Sequence, residues 1–494
     1  MLTPIAADAF GEHEARHLLW RAGFGGSPGQ IAALAQLGPE GAVAHLLDYE
    51  AIDHPWPGAA DFDKDIMRPL SAEDLRELRV ARQNRNEDVV AKYRSQQMQR
   101  QRADRAQIRA MGEWWLGRMI ETPRPLEEKM TLFWHGHFAT GYRTIENSYH
   151  MFLQNQLFRR HAVGNFGELL FAIVRDPAML RYLNNNASRA DDPNENLARE
   201  LMELFSLGEG NYSEADIKEG ARALTGYSFD DDAFVFRPGD HDQGIKRILG
   251  ESGRLDGDGF VRAILGRRAC SAFIAGKMYR FFCREVPTDP REMDADARAA
   301  VDDLANTMLR ERYEIRPVLR RLLLSEHFYS DAVVGEQIKS PATLVVGAVR
   351  SLGTPTRDVA TLVAALDAMG QALFQPPSVK GWAGGRSWIS TSTLYTRQNT
   401  LAYLLTGRKP TGFDLRGAEA YDPKPLARAL VGDPKTASAR AFGEAVADFV
   451  LGPARTDRAV EELSAVGERA GRVTPTVAAD MVLLASAMPE YQLC

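Results

Sequence analysis

Asp192-Pro193-Asn194-Glu195-Asn196-Leu197-Ala198-Arg199-Glu200-Leu201-Met202-Glu203-Leu204-Phe205 reads as an amphipathic helix with explicit start signals. Asp192 suits the N-cap, Pro193 the first helical position, and Glu195, three residues after the cap, completes a capping box. Gly208 and Gly210 supply the stop. At about 100° per residue, Leu197, Ala198, Leu201, Met202, Leu204 and Phe205 share one broad apolar arc. Asn196, Glu200 and Glu203 recur at i, i+4 and i+7 along its flank. Leu207 projects between the directions of Asn196 and Glu200, so the carboxylates are not expected to face open water. Acids on such a face are costly unless paired or bound. The stretch therefore predicts either a functional site or Glu–Arg pairs in a helical core.

Helical patterning extends from this segment in both directions. Residues 1–60 hold short N-terminal helices, with Ser27-Pro28 as a cap and first turn and Gly38-Pro39 as a break. Residues 61–123 form a polar helical arm, continuous in pattern from about Ser71 to Ile120. Its arginines (Arg79, Arg82, Arg85, Arg94, Arg100, Arg102, Arg105) are interspersed with Glu77, Glu87, Asp88 and Asp104, the pattern of a solvated face rather than a nucleic-acid surface. Residues 124–260 carry the motifs. The period changes only there, where Ala233–Arg237, a Pro238-Gly239 turn and His241–Leu249 predict a β-hairpin or an irregular lobe. Asp256-Gly257-Asp258-Gly259 resembles a calcium loop, but Arg267 stands where the closing Glu belongs. Residues 261–494 are helical again, interrupted by a Trp/Gly-rich loop at 374–388. The expected fold is mainly α: one large multi-helix domain over 1–494 with a small β-hairpin insertion and a protruding polar helical arm.

Composition narrows the function classes. The chain has 494 residues and a net charge of −6, which argues against nucleic acid as its main partner. Its three cysteines make neither a disulfide framework nor a metal-ligand spacing. No apolar run approaches the ~18 residues of a membrane span. Met1-Leu2-Thr3-Pro4-Ile5 lacks the basic and apolar regions of a signal peptide, so a cytoplasmic location is expected unless a signal-bearing partner exports the chain.

Four further features bear on chemistry. In His135-Gly136-His137 the two imidazoles share a side if Gly136 lets the backbone leave the helix, and such a pair can ligate a metal; the alternative is a helix end whose histidines pack. Asn184-Asn185-Asn186 places amides before the central helix. His241, Asp242 and Lys246 bring a base, an acid and a cation into one short segment. Trp382 and Trp388 in a glycine-rich loop either form a stacking wall for a sugar or fasten the loop onto the helices.

These stretches together resemble the bacterial family catalogued as domain of unknown function 1800. The resemblance rests on His17-Leu18-Leu19-Trp20-Arg21-Ala22-Gly23-Phe24-Gly25, Phe133-Trp134-His135-Gly136-His137-Phe138, and Pro193-Asn194-Glu195-Asn196 followed by Ala198 to Phe205. It continues through Ala223-Leu224-Thr225-Gly226, His241-Asp242, Lys246, Pro376-Pro377, Lys380-Gly381-Trp382, Gly384-Gly385 and the terminal Pro489-Glu490-Tyr491-Gln492. It implies a mostly helical protein. It also implies a frequent genomic neighbour from the family catalogued as domain of unknown function 1501, which is similar to alkaline phosphatases and sulfatases.

The resulting functional expectation is a metal-dependent enzyme, a hydrolase for a cell-envelope or polysaccharide-like substrate working beside that partner. His135, His137, Glu200 and His241 are the expected ligands of one divalent zinc, iron or manganese ion. Glu203 or Asp242 is the expected general base and Lys246 or Arg199 the electrophilic stabiliser. Asn185, Asn194, Asn196, Trp382 and Trp388 are the expected substrate contacts. The alternatives are a non-catalytic scaffold or chaperone, in which Glu200 and Glu203 pair with Arg16, Arg21 or Arg222, and a carbohydrate-binding module.

Overall fold

Side-chain caps set where many of the helices begin. Ser27, Asn86, Asn147, Asp176, Ser213 and Ser340 each accept a backbone N–H from the first turn that follows. A computed structural model describes residues 2–53, 62–408, 419, 421–434 and 436–494. It is 63% helical, with 23 α-helices among the described residues and two small antiparallel sheets. The mainly α expectation holds.

The arm is a helical hairpin. Ala72–Gln83 and Glu87–Glu121 are separated at Asn84–Asn86, where Arg85 takes a left-handed φ of 52° and Asn86 caps the second helix. Tyr93 closes the pair by donating to Asp74 at 2.8 Å. At 1.5 Å per residue the 35-residue second helix is about 52 Å long. Its C-terminal half enters the core through Met111, Trp115, Leu116 and Met119.

Two expectations about local structure are corrected. The central helix spans Asn196–Glu203, shorter than its sequence suggests. Asp192 is drawn into a backbone bridge with Arg189, and Asn194, not Asp192, supplies a capping oxygen, its Oδ1 accepting from the Asn196 N–H at 2.9 Å. The β region contains two hairpins. β1 (Tyr227–Asp230) pairs with β2 (Ala233–Phe236), and β3 (Lys246–Ile248) pairs with β4 (Glu251–Gly253). The first turn falls at Asp231-Asp232, with Asp231 at φ 48°, so Pro238-Gly239 joins no strands. Asp256 caps the helix Gly257–Leu265 by accepting from Gly259 at 2.9 Å.

The interior divides into two hydrophobic clusters. One gathers the N-terminal helices with residues such as Met130, Phe133, Leu201, Phe205 and Tyr279. The other gathers Trp115, Leu132, Val345, Leu366, Leu404 and Met481. The helix Pro125–His137 feeds both, so it lies on the seam between them. Among the described residues no helix is long and apolar enough to cross a membrane.

Candidate functional site: a cation-lined cavity

The helix Pro125–His137 runs unbroken through both histidines of the His-x-His pair. Two residues apart on a helix, their side chains diverge by about 200°. His135 points to one side, against Trp115 at 4.6 Å and Phe158 at 4.8 Å. Its Nε2 lies 3.0 Å from Asn155 Nδ2. Asn155 Oδ1 is already taken by Arg159 at 2.8 Å, so the Asn155 amide donates and the imidazole accepts. Beyond Asn155 the network closes through Arg159 onto Glu128, which also accepts from Trp115 Nε1 at 2.9 Å and from Arg118. Burial alone would raise the Glu128 carboxyl, but Arg159 and Arg118 outweigh it and hold it below the usual value. His135 is thus a packed, hydrogen-bonded neutral ring, its pKa pushed down to about 3 by burial.

His137 points the other way. Its Nε2 is 3.0 Å from the Phe205 carbonyl, which can only accept, so Nε2 carries the proton and Nδ1 keeps a bare lone pair. That Nδ1 is buried without a hydrogen-bond partner. Burial, with Lys277 nearby, lowers its pKa to about 3. Gly136 between the histidines serves close packing. A Cβ on Gly381, which has φ 79°, would stand 2.0 Å from the Gly136 carbonyl oxygen, so the 374–388 loop lies directly on the helix backbone.

The other expected site residues are mostly occupied elsewhere. Arg199 pairs with Glu214 at 2.9 Å and Glu195 at 3.1 Å. Asp242 takes a two-pronged contact from Arg222, at 2.7 and 3.1 Å, and that hydrogen bonding holds its carboxyl low. Lys246 Nζ donates to the Asp242 carbonyl at 2.6 Å, and His241 Nδ1 to the Thr225 carbonyl at 2.8 Å. Asn185 donates to the Leu224 and Tyr227 carbonyls at 3.1 and 3.2 Å. Glu203 accepts from Tyr212 at 3.0 Å. Glu200 is half-buried, and its carboxyl is raised by burial and by Glu203 against the opposing fields of Arg199 and Lys380. Arg16, Arg21 and Arg222 do not pair with Glu200 or Glu203; Arg16 and Arg21 bond the Asp448 and Val333 carbonyls. The expected ligands His135, His137, Glu200 and His241 are not brought together: no three His, Cys, Asp or Glu side chains converge as a metal site among the described residues.

What the fold does assemble on the His137 side is a cavity of about 370 Å³. Its floor is the helix Pro125–His137, one wall is the helix Arg268–Phe282, and the 374–388 loop and residues 337–343 close it. Trp382 and Trp388 both line it, Trp388 only 6% exposed and Trp382 with its Nε1 buried and unpartnered. The loop is therefore fastened inward, and the tryptophans do not form an exposed sugar platform. Arg280 secures it by pairing with Glu285 and donating to the Ala383 carbonyl at 3.3 Å.

The polar lining is rich in cations: Lys129, Lys277, Arg280, Lys339 and Lys380 stand beside one carboxylate, Glu285, and the neutral Gln337, Ser340, Thr343 and Gln371. Lys129 donates to Thr343 Oγ1 at 3.1 Å and sits over the Phe24 ring at 5.0 Å. Lys339 donates to the Tyr491 carbonyl at 2.7 Å between the rings of Trp20 and Tyr491. Lys277 lies 5.3 Å from the Phe273 ring. None of the three has a carboxylate partner among the described residues. Burial lowers Lys129 and Lys277 to about 8 and Lys339 to about 7. Reading motifs alone misses these lysines. The one local signal is a lone Lys after an apolar run, as in Phe273-Ile274-Ala275-Gly276 before Lys277; Lys129 follows Glu127-Glu128 and carries no such mark.

Fold and cavity together define a mainly helical protein with a recess lined by several cationic side chains. The chain belongs to the family of proteins of unknown function, DUF1800, whose model matches residues 17–493. Neither the curated proteins nor the solved structures contain a match.

Proposed function

We propose that the chain binds a compact anionic ligand in the cavity between the helices Pro125–His137 and Arg268–Phe282 and the 374–388 loop. The observation that carries this reading is the grouping of Lys129, Lys277 and Lys339 around one space whose lining carboxylate, Glu285, is paired with Arg280 instead of with any of the three. Burying an ammonium without a counter-charge is expensive, and a bound anion supplies the missing charge. Phosphate, sulfate and carboxylate groups all meet that requirement. The hydrolase reading enters the same space. Charged cell-envelope polysaccharides carry such groups, and a phosphatase- or sulfatase-like partner of the domain of unknown function 1501 family would act on the same class of substituent. Calorimetry with inorganic phosphate, sulfate and benzoate tests binding. Saturable heat in the parent, lost in Lys277→Met with the fold intact, is expected; no heat with any of the three overturns the reading.

A scaffolding role has one observation in its favour. Leu75, Val80 and Met98 on the arm are each about half exposed, at 49%, 47% and 48%. Co-purification with the partner, lost when these three become Ser, is the expected result under that reading.

A further inference from the structure

The helical arm leaves its positive charge uncommitted in a way the rest of the chain does not. Residues 72–110 hold ten Lys and Arg against six Asp and Glu, inside a chain of net charge −6. Arginines on other parts of the surface are held by acids: Arg199 by Glu195 and Glu214, Arg222 by Glu219 and Asp242, Arg316 by Asp48 and Glu50. On the arm, Arg79, Arg82, Arg94, Arg102 and Arg105 are exposed, and their guanidiniums make no ion pair or hydrogen bond among the described residues. The arm's own acids are placed elsewhere. Asp74 and Glu77 accept from Tyr93, and Asp104 accepts from Tyr142 and Ser148. Glu73, Glu87 and Asp88 sit in first turns, at the positive ends of the helix dipoles.

The free cations share one face. At about 100° per residue, Leu75, Arg79 and Arg82 fall within an arc of about 60° on Ala72–Gln83, and Arg94, Met98, Arg102 and Arg105 within about 80° on Glu87–Glu121. Ala81 and Tyr93, the only side chains buried between Ala72 and Ala103, mark where the two helices touch. Each arc lies roughly 120–140° from that contact in the same rotational sense, and in an antiparallel pair such turns lead to one face. Leu75 and Met98, 49% and 48% exposed, stand among the arginines. From Arg94 to Arg105 the face runs about 17 Å, three turns of helix. A membrane surface would ask for a broad apolar stripe, and here two apolar side chains interrupt a row of arginines. Nucleic-acid bases or sugars would ask for exposed rings, and Tyr93, the one aromatic residue between Ala72 and Ala110, is buried. Resting on the scaffolding reading, we propose that this face docks a helix of a partner protein whose apolar stripe is flanked by Glu and Asp. The stripe covers Leu75 and Met98, the carboxylates meet the five arginines, and the hairpin becomes a three-helix bundle, with charged flanks selecting the partner.

The test measures, by fluorescence anisotropy on the intact chain, the binding of three helical peptides of about 16 residues. One carries Leu at i, i+3, i+4 and i+7 with Glu on both flanks; the second has every Leu replaced by Ser, and the third every Glu by Lys. The Leu/Glu peptide should bind saturably and weaken as salt rises from about 0.05 to 0.3 M, and the Lys peptide should not bind. Arg94→Gln/Arg102→Gln, at exposed positions that leave the fold intact, should weaken the Leu/Glu peptide about tenfold, the effect of losing two exposed charge pairs. Leu75→Ser/Met98→Ser should weaken that peptide severalfold and leave the Ser/Glu peptide unchanged. No binding of the Leu/Glu peptide, equal affinity for the Leu/Glu and Ser/Glu peptides, or tighter arginine-dependent binding to phosphatidylglycerol vesicles or duplex DNA overturns the acidic-helix inference. Co-purification of the parent with the phosphatase-like partner judges scaffolding separately. If it persists undiminished in the arginine variant, scaffolding stands and this face is not the dock; if the parent itself brings down no partner, both readings fall.

Discussion

The two sides of the helix Pro125–His137 handle buried charge in opposite ways. On one side Glu127 and Glu128 meet Arg118 and Arg159, with Glu128 wholly buried and accepting from both arginines and from Trp115. His135 belongs to this side and is held by the same network through Asn155. On the other side Lys129, one residue further along, shares a cavity with Lys277, Lys339 and His137. Both sides cost desolvation. Only the first recovers it with opposite charge; on the second, Lys129 and Lys339 have a hydroxyl, a carbonyl and ring faces instead.

The contrast breaks most visibly at Glu128. Glu128→Gln leaves Arg118 and Arg159 buried with too little negative charge, and a loss of about 3–5 kcal/mol in urea unfolding is expected, the usual cost of breaking a buried ion pair from one side. A loss under about 1 kcal/mol would mean that the network is no more closed than the cavity. Lys277→Met should act in the reverse sense, leaving the melting temperature level or higher while anion affinity falls by tenfold or more.

The pH dependence should separate the two sides by window: stability rises with pH through both groups, in the alkaline range for Lys129 and in the acid range for Glu128. Lys129 titrates near 8 in the folded chain against 10.5 for the ordinary side chain. Between those values the unfolded state holds more protons, so the ligand-free protein gains stability from this group as pH rises from about 8 to 10.5, and the penalty is fully present below that window. Glu128, held below its ordinary 4.5, contributes stability present above that value and lost as the solution is acidified through its folded pKa. Melting curves of the parent minus those of Lys129→Met, taken from pH 6 to 10.5, should converge at the alkaline end. Anion affinity should fall over pH 7 to 9, where the lysines lose their protons. The smallest effect is expected at Arg199→Ala. Its partners Glu195 and Glu214 are exposed enough that the loss should stay under about 1 kcal/mol.

Much of the architecture is legible from local pattern. The Ser27 cap, the polar arm and the return to strand at Ala233–Phe236 all follow from periodicity and turn chemistry within a few residues. The site is less legible because tertiary contact decides it. Gly136 permits a backbone departure on sequence grounds, yet its value is the close approach of Gly381, 245 positions away. The acids and cations after Asn196 look reactive as a string, but Arg222, Glu214 and the Thr225 carbonyl absorb most of them. Lys129, Lys277 and Lys339 carry no shared motif, and only the packing of two helices against the segment before Pro341–Leu352 makes them neighbours.

The seam between the two hydrophobic clusters has a mechanical consequence. The cavity's floor and the Arg268–Phe282 wall belong mainly to one cluster, whereas Trp382 packs against the other. A ligand seated there acts as a rivet across two separately packed halves, and its binding energy is spent on their joint rather than inside either one. Amide exchange should then slow along the joint itself, in the 374–388 loop and the last turn of Pro125–His137, while the interior of each half keeps the rate its own packing sets.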